Sequence, residues 1–510
     1  MTDQSDTQLE LLLYPPETEM LKLDIAKETL DSLVQVASRQ NLSTEELVRC
    51  YIGRGLKQDM ALPLQERLKS LLASDLDFHG QDTAYASHNF HSFPAKFPPQ
   101  LPNKFIANLT EPGDTVLDPM MGSGTTVLEA FLSGRYSIGF DIDPMALMIT
   151  KVKVTALDRE QLQQVGKTVL TQAKFALENK RHELKNQLEN KWDVNTRKFI
   201  NYWFAQSTQL ELLALINEIE QVEENPIKAF LELTFSAIII TKSGGVSLAL
   251  DLAHTRPHRA KIVASKAGEI ILGQNLLDDP NPRLKVLTKT LRSPLKEFEK
   301  RFQKNISNLP QNRFEGIQPL LQHGDAQKLP LYDNTVDLIV TSPPYAANAI
   351  DYMRAHKFSL AWLGYPIDEL GQKRRRYIGG ESLTEMLFEE LPDYTTKIVS
   401  KLAKVDEKKG AILHRYYSEM TRTLREIFRV LKPGKVAIVV VGNSTMRSID
   451  TQTGNCLADI GRKVGFEVPK IGVRQLDRNK RMLPASAKVN LKSQIQQRMH
   501  EEYVIGLIKP

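Results

Sequence analysis

Ser342, Pro343, Pro344 and Tyr345 stand directly after an apolar run, Leu338–Val340, which has the composition of a buried parallel strand. Two consecutive prolines cannot continue a central strand, because each lacks a backbone N–H and has a fixed φ. The tetrapeptide is therefore predicted as a stiff turn at the carboxyl end of a strand, where open α/β sheets place their sites. Carbonyl and hydroxyl oxygens in this turn would accept hydrogens from an exocyclic amine, and the tyrosine ring would stack on a flat base.

A glycine loop is the second feature that suits a chemical role. It follows a short predicted strand, Thr115–Pro119, and opens a predicted helix that stops at Gly134; a second strand then ends at Asp141. Gly122 and Gly124 let the backbone approach a ligand closely, and the helix N-terminus favours a carboxylate. Asp141 is placed to bond ribose hydroxyls. The loop has too few glycines for GxGxxG and lacks the GK[ST] of a P-loop, which disfavours NAD and ATP.

These two motifs resemble those of the DNA amino-methyltransferases, which use S-adenosylmethionine to methylate the N4 of cytosine or the N6 of adenine. Residues 342–345 resemble the Ser-Pro-Pro-Tyr motif of that family. Residues 118–126 resemble its Asp-Pro-Phe-x-Gly-Ser-Gly-Thr-Thr motif, with Met120 in place of the usual Phe. The resemblance covers residues 85–155 and 320–510. It implies an α/β fold with a Rossmann-like class I methyltransferase sheet.

The resemblance also implies which residues bind the cofactor. Residues 88–99, rich in aromatic residues and proline, resemble the segment that walls the methionine end of S-adenosylmethionine. Asp325, at a predicted strand end, corresponds to the acid near the cofactor's adenine ring. The implied cofactor-binding residues are Phe93, Lys96, Phe97, Asp118, Gly122, Ser123, Gly124, Thr125, Asp141 and Asp325. The implied catalytic residues are Ser342, Pro343, Pro344 and Tyr345.

The chemistry implied is direct in-line methyl transfer to the exocyclic nitrogen of a base flipped out of DNA. Neither Cys50 nor Cys456 stands beside a proline, which separates this chain from the C5-cytosine enzymes. Ser342, rather than Asp or Asn, resembles the N4-cytosine enzymes more than the N6-adenine enzymes. N6-adenine methylation, RNA amino-methylation and an inactive DNA-binding regulator are the alternatives.

A segment of about 160 residues, 156–318, interrupts the strand–helix pattern and is predicted to be a helical, basic insertion that recognises the DNA target. It includes a predicted long helix over 159–192. Candidate phosphate contacts are Arg256 and Arg259 in the insertion and the cationic run Lys373, Arg374, Arg375 and Arg376. Asp351, Tyr352, Arg354 and His356 could line a base or phosphate site, with a solvated helix face as the default interpretation. Double-stranded DNA is the expected partner. A cognate restriction enzyme is a candidate partner, with an orphan regulatory methylase as the alternative.

The N-terminal segment 1–60 resembles a ribbon-helix-helix unit. Leu21, Leu23 and Ile25 alternate with polar residues as in a strand, and two helical patterns follow, the second opened by a capping box at Ser43–Glu46. The segment holds six Lys and Arg against eleven Asp and Glu, a net charge of −5, which makes it a poor phosphate binder. A homodimer through this unit is therefore favoured over DNA contact, with a packed helical hairpin as the alternative. Residues 61–84 are predicted to be a linker.

Composition sets wider bounds. A chain of 510 residues is long enough for two or three domains, and its net charge of +6 fits a polyanionic partner only mildly. Two distant cysteines without CxxC spacing indicate a reducing, cytoplasmic setting and argue against a zinc site. No apolar run approaches the roughly 20 residues of a membrane span, so no membrane association is expected. The predicted catalytic half of the methyltransferase is residues 319–510.

Overall fold

The computed structural model describes residues 25–39, 43–59, 63–94, 96–252, 257–309, 317–346, 351–380, 383, 386–476 and 501–510. The chain divides into two compact units, Met1–Arg67 and Leu68–Pro510. Among the residues described, no helix combines the length and the apolar character needed to cross a membrane.

The helices are α1 Lys27–Arg39, α2 Thr44–Asp59, α3 Leu64–Ala73, α4 Gln100–Leu109, α5 Thr125–Leu132, α6 Pro144–Val154, α7 Arg159–Asn179, α8 Arg181–Asn190, α9 Val194–Trp203, α10 Gln206–Glu220, α11 Asn225–Ile239, α12 Arg283–Val286, α13 Pro294–Ser307, α14 Tyr352–Leu360, α15 Ile367–Arg375, α16 Asp393–Ala403, α17 Glu407–Val430 and α18 Thr453–Val464. The strands are β1 Thr115–Asp118, β2 Tyr136–Asp141, β3 Ile262–Ala264, β4 Ile270–Leu272, β5 Thr288–Thr290, β6 Leu320–His323, β7 Val336–Thr341, β8 Leu431–Gly442, β9 Thr445–Met446, β10 Ile449–Asp450, β11 Ile471–Gln475 and β12 Glu501–Ile508.

In the first unit, α1 and α2 form the two predicted helices, with Ala37 and Leu47 buried. The predicted capping box is present. The Ser43 N–H donates to Glu46 Oε2 at 2.8 Å, and the Glu46 N–H donates to Ser43 Oγ at 3.1 Å. These reciprocal bonds satisfy two donors at the start of α2. The predicted strand lies largely in residues 21–24, outside the described residues, so the ribbon-helix-helix assignment stays a prediction.

The second unit is organised around a seven-stranded sheet in the order β11-β12-β8-β7-β1-β2-β6. The strands from β6 to β8 pair in parallel, and β12 and β11 add antiparallel pairs at the other side. The predicted α/β fold is therefore confirmed. All six residues of β7 are buried, as an apolar strand in the middle of a parallel sheet requires. Because parallel strands end on the same edge, the ends of β1, β2 and β7 lie together.

Helices cover the sheet and build a second core. Leu117, Ile339 and Ala437 pack in one cluster with residues of α16, α17 and α18. The insertion is helical, as predicted, and its α7, α10, α11 and α13 share a separate core with α14. The predicted single helix over 159–192 is wrong: it is two helices, α7 and α8, which meet at the non-helical Lys180. This break lets α8 turn so that its apolar face packs on α10.

The predicted linker contains α3, whose Leu68 and Leu72 are buried against the antiparallel part of the sheet. A Cβ atom at Gly506 would lie 2.7 Å from Leu72 Cδ1, and one at Gly472 would lie 2.8 Å from the Leu72 carbonyl oxygen. The absence of side chains at Gly472 in β11 and Gly506 in β12 therefore leaves space for Leu72 of α3. The predicted domain boundaries themselves stay predictions.

Candidate active site

A cavity of about 880 Å³ lies at the carboxyl ends of β1, β2 and β7. Its lining includes every predicted cofactor residue except Gly124, namely Phe93, Lys96, Phe97, Asp118, Gly122, Ser123, Thr125, Asp141 and Asp325. Ser342 and Pro344 line the same cavity. This volume includes solvent-filled space at the open mouth of the cavity. The sheet therefore brings the glycine loop, the strand-end acids and the Ser-Pro-Pro-Tyr turn to one place.

Gly122 is fixed by the end of the neighbouring strand and by an aromatic ring. Its N–H donates to Asp141 Oδ2 at 2.8 Å, and its φ is +48°, in the left-handed region. A Cβ atom there would lie 3.1 Å from Phe93 Cε1. A side chain at this position would therefore strain the backbone and press on the aromatic wall.

Gly124 has a packing role. Its φ is +70°, and it precedes α5 as the N-cap residue. A Cβ atom would lie 2.5 Å from both Cγ2 and Oγ1 of Thr150 on α6. Glycine at this position lets the start of α5 approach α6, which keeps the glycine loop tight.

Three of the carboxylates that line the cavity, Asp118, Asp141 and Asp143, lie at or just after the ends of β1 and β2. Burial raises the pKa of Asp118 to about 6, although Thr341 Oγ1 donates a 2.7 Å hydrogen bond to its Oδ1. Burial, and then the charge of Asp143, raise the pKa of Asp141 to about 7. Burial also disfavours the charged form of Asp143, but the neighbouring His356 outweighs it and leaves that pKa lowered. Because desolvation disfavours the charged form of all three carboxylates, a cationic ligand bound among them is favoured.

The aromatic segment is tied to α5 through Glu129. Its Oε1 lies 2.8 Å from the donating Tyr85 hydroxyl and 2.7 Å from His88 Nε2, and its Oε2 accepts from Asn103 Nδ2 at 2.8 Å. All of these groups are buried or partly buried, so the network fixes the segment relative to the glycine loop. Lys96 Nζ donates to the His88 carbonyl at 2.9 Å, and burial lowers its pKa to about 8.

The cavity also has a wall that the sequence analysis did not assign. Tyr352 lines the cavity and stacks on Phe93, with ring centroids 5.1 Å apart. His356, one turn further along α14, is fully buried, and its Nδ1 lies 2.6 Å from Asp143 Oδ2. The default interpretation of this stretch as a solvated helix face is therefore wrong for His356. Asp143 directly precedes Pro144, a helix-start signal that marks Asp143 as an N-cap; its Oδ1 accepts from the Met145 N–H at 2.8 Å.

In the Ser-Pro-Pro-Tyr turn, Ser342 and Pro344 face the cavity, whereas Pro343 and Tyr345 are buried beside it. The Tyr345 hydroxyl donates to Glu502 Oε1 at 2.7 Å. The ring is therefore anchored at its hydroxyl end, on β12. The predicted stacking of this ring on a base stays a prediction.

The predicted phosphate contacts are spread over two places. Arg256 lies outside the described residues. Arg259 in the insertion donates to the Tyr202 carbonyl at 2.7 Å, and its guanidinium lies 4.7 Å from the centre of the Tyr202 ring. Lys373, Arg374 and Arg375 form the last turn of α15. Arg374 pairs with Asp351, whereas Arg376 lines the cavity. The structure thus brings part of the cationic run to the rim of the site and leaves Arg259 in the insertion.

Comparison with known proteins agrees with this geometry. Residues 72–152 match the model of a protein family described as DNA methylase. The Type II methyltransferase M.MvaI of Kocuria varians is 24% identical over 434 residues, which cover 81% of this chain and 89% of that protein. The Type II methyltransferase M.BsoBI of Geobacillus stearothermophilus is 23% identical over 481 residues, which cover 83% and 87%. The chain is related to the DNA amino-methyltransferases.

A solved S-adenosylmethionine-dependent methyltransferase of Methanosarcina mazei aligns over 79% of this chain and 96% of its own, with 11% identity. Its TM-score of 0.28 is too low to support any inference. The fold is therefore assigned from the strand order of the seven-stranded sheet.

The cofactor of the DNA amino-methyltransferases is S-adenosylmethionine, and the residues of the cavity fit it. The cluster Asp118, Asp141 and Asp143 supplies the negative charge that a sulfonium and an ammonium group need. Phe93 and Tyr352 supply an apolar wall. Asp325 lies at the far end, after β6, where its Oδ1 accepts from the Gln327 N–H at 2.9 Å. The role of each residue stays a prediction.

Proposed function

We propose that this protein transfers a methyl group from S-adenosylmethionine to the exocyclic amine of a flipped base in double-stranded DNA, with cytosine N4 as the target atom. One observation carries the proposal. The cavity that holds the glycine loop and the three buried acids is also lined by Ser342 and Pro344. A methyl donor bound beside the glycine loop, in the first part of the cavity, would lie next to an amine held at Ser342 and Pro344, in the second part.

The first part of the cavity would hold the cofactor. Bound there, S-adenosylmethionine supplies a methyl group on a positively charged sulfur. Asp141 would accept hydrogen bonds from ribose hydroxyls with the lone pairs that the Gly122 and Asp143 N–H groups leave available, since a carboxylate offers about four acceptor sites. Lys96 and Phe97 would wall the opposite side together with Phe93. Asp325 would lie near the base of the cofactor.

The Ser-Pro-Pro-Tyr turn would hold the target amine. The Ser342 hydroxyl and the Pro343 carbonyl would accept its two hydrogens, which directs the nitrogen lone pair away from the turn. Tyr345 would stack on the base. The chain's contribution to the rate is then mainly orientation, and no covalent nucleophile is required. The environment of Cys456 fits a mechanism without a covalent nucleophile, since this residue is fully buried and its thiol lies near the Thr451 carbonyl.

Cytosine N4 is preferred over adenine N6 because of Ser342. The motif begins with Ser in this chain, as in the N4-cytosine enzymes that it resembles, and not with Asp or Asn. The names of M.MvaI and M.BsoBI, both Type II methyltransferases, support DNA as the substrate and a cognate restriction enzyme as a partner. A base inside a duplex must be flipped out, and the cations Lys373–Arg376 near the cavity would hold the adjacent backbone phosphates.

The decisive experiment is to incubate the purified full chain with unmodified genomic DNA and, in a separate reaction, with RNA, each with and without S-adenosylmethionine, and to measure the modified nucleosides by mass spectrometry. Cofactor binding is measured in parallel by calorimetry. Cofactor-dependent N4-methylcytosine is the expected product. N6-methyladenine would keep the reaction class and refute the interpretation of Ser342. Modified RNA without modified DNA would refute DNA as the substrate. Bound cofactor without any modified nucleoside would refute the enzyme and favour a DNA-binding regulator.

A further inference from the structure

A buried chain of three polar side chains starts at Tyr345 and leads away from the cavity. The Tyr345 hydroxyl donates to Glu502 Oε1 at 2.7 Å, and Arg474 Nη1 donates to the other carboxylate oxygen, Oε2, at 2.5 Å. Arg474 Nε donates to the Leu76 carbonyl at 3.2 Å. Tyr345, Glu502 and Arg474 are each at most 7% exposed. Both oxygens of the buried carboxylate therefore have partners.

The sheet fixes the two charged members. Arg474 and Glu502 are directly opposite each other in the antiparallel pair β11–β12, so their side chains start from paired backbone positions. Two ladders of the sheet hold them, because β12 also pairs with β8 along its length. Glu502 is thus a rigid acceptor at the active-site end of β12, close to the end of β7.

The hydrogen bond has a definite direction. Burial, and then the negative charge of Glu502, hold the pKa of Tyr345 well above its ordinary value, so the phenol keeps its proton and donates. Arg474 compensates the buried carboxylate, which would otherwise be costly in this environment. A hydrogen bond from a neutral hydroxyl to a charged carboxylate is stronger than one between neutral groups.

We infer that Glu502, held by Arg474, is a positioning residue that fixes the plane of the Tyr345 ring before DNA arrives. The inference depends on the proposed function, in which this ring stacks on the flipped base. Packing around the buried Tyr345 ring limits its rotation, and any freedom that remains about its two side-chain bonds would have to be stopped when a base stacks on it. The bond to Glu502 orders the ring in advance, which removes this cost from the step that binds the base.

The test compares the single-turnover rate of methyl transfer in four proteins: the wild type, Glu502→Gln, Tyr345→Phe and the double variant. Tyr345→Phe keeps the ring and the Arg474–Glu502 pair but removes the hydroxyl, so it remains informative if Glu502→Gln folds poorly. Glu501→Gln is the matched control, because Glu501 lies next to Glu502 but bonds Gln475 and Tyr503 instead. Cofactor affinity and thermal unfolding are measured for each protein.

Each single variant should lower the rate by about tenfold to a hundredfold, since small misplacements of an orienting group have effects of this size. Cofactor affinity should stay within about twofold, because the ring lies outside the cofactor end. The double variant should be no slower than the slower single variant, since both changes break the same hydrogen bond, the one between Tyr345 and Glu502. Glu501→Gln should match the wild type.

Three results would overturn the inference. Equal rates for wild type and Tyr345→Phe would show that the hydroxyl bond does not position the ring. Multiplied losses in the double variant would show that Glu502 acts independently of Tyr345, as a structural ion pair would. A wild type that methylates no nucleic acid would refute the proposed function and this inference with it, and is distinguished from the other two by the wild-type rate alone.

Discussion

Replacing Gly124 by alanine tests the packing of the glycine loop. The new alanine would have to adopt a φ of +70°, and its Cβ would lie 2.5 Å from Cγ2 and Oγ1 of Thr150. The left-handed backbone costs an alanine about 1–2 kcal/mol, and inserting a methyl group into a filled site costs about 1–3 kcal/mol. The free energy of unfolding should therefore fall by roughly 2–5 kcal/mol.

The two contributions can be separated with one control and one second-site change. Gly113 has a φ of +90°, and a Cβ there would meet no atom within 4 Å. Gly113→Ala should therefore lose only the backbone part, about 1–2 kcal/mol. Thr150→Ala in the Gly124→Ala background should restore part of the packing loss, because it removes the two atoms that lie closest to the new methyl group.

The assays are urea unfolding and calorimetric titration with S-adenosylmethionine. Gly124→Ala should also weaken cofactor binding by at least about tenfold, because relieving the clash with Thr150 displaces the loop that carries Gly122 and Ser123. Gly113→Ala should bind normally. If both glycine variants lose the same stability, and Thr150→Ala restores nothing, then the contact with Thr150 does not hold the loop and the reasoning is refuted.

Four further predictions concern the charges and the motif. Asp141 has a pKa of about 7, so cofactor binding should weaken about tenfold from pH 8 to pH 6 as the carboxylate protonates, and Asp141→Asn should flatten this dependence in calorimetry. The raised pKa of Asp141 also stabilises the cofactor-free protein at low pH, and this contribution is lost as the pH rises through about 7. An increase in the free energy of unfolding as the pH rises through about 7 would contradict the raised pKa. Arg376→Gln should reduce the salt slope of DNA binding by roughly 1, measured by fluorescence anisotropy, and by more than Arg259→Gln, whose guanidinium is already bound to Tyr202. Ser342→Ala should slow single-turnover methylation by about tenfold or more with unchanged cofactor affinity; weakened cofactor binding instead would place Ser342 in the other part of the cavity.

Much of the site could be predicted from the sequence because its parts are local. The strand–loop–helix unit from Thr115 to Gly134 is specified by a short apolar run, two glycines and a helix stop, and each of these acts within a few residues. The turn after β7 is equally local, since two prolines end a strand wherever they occur. The order of these units along the chain, together with the rule that parallel strands end on one edge of a sheet, was enough to predict that they meet in one site.

The contacts that sequence reasoning missed join residues that are far apart in the sequence. His356 and Asp143 are 213 positions apart, and Tyr345 and Glu502 are 157 apart. Nothing near His356 distinguishes a buried histidine from one on a solvated helix face. Its burial depends on α14 packing into the core of the insertion, which the local pattern does not specify.

The sequence by itself determined the fold class, the cofactor loop and the turn that carries the predicted chemistry, because glycine, proline and apolar runs restrict the backbone locally. Only the tertiary structure decided which carboxylates share the cavity, that Gly124 packs on Thr150, and that Tyr345 is anchored to β12. Those outcomes depend on strand order and on which helices pack together. Such contacts join residues from different elements, up to 157 positions apart for Tyr345 and Glu502, and their free energy is gained only once the whole sheet has formed.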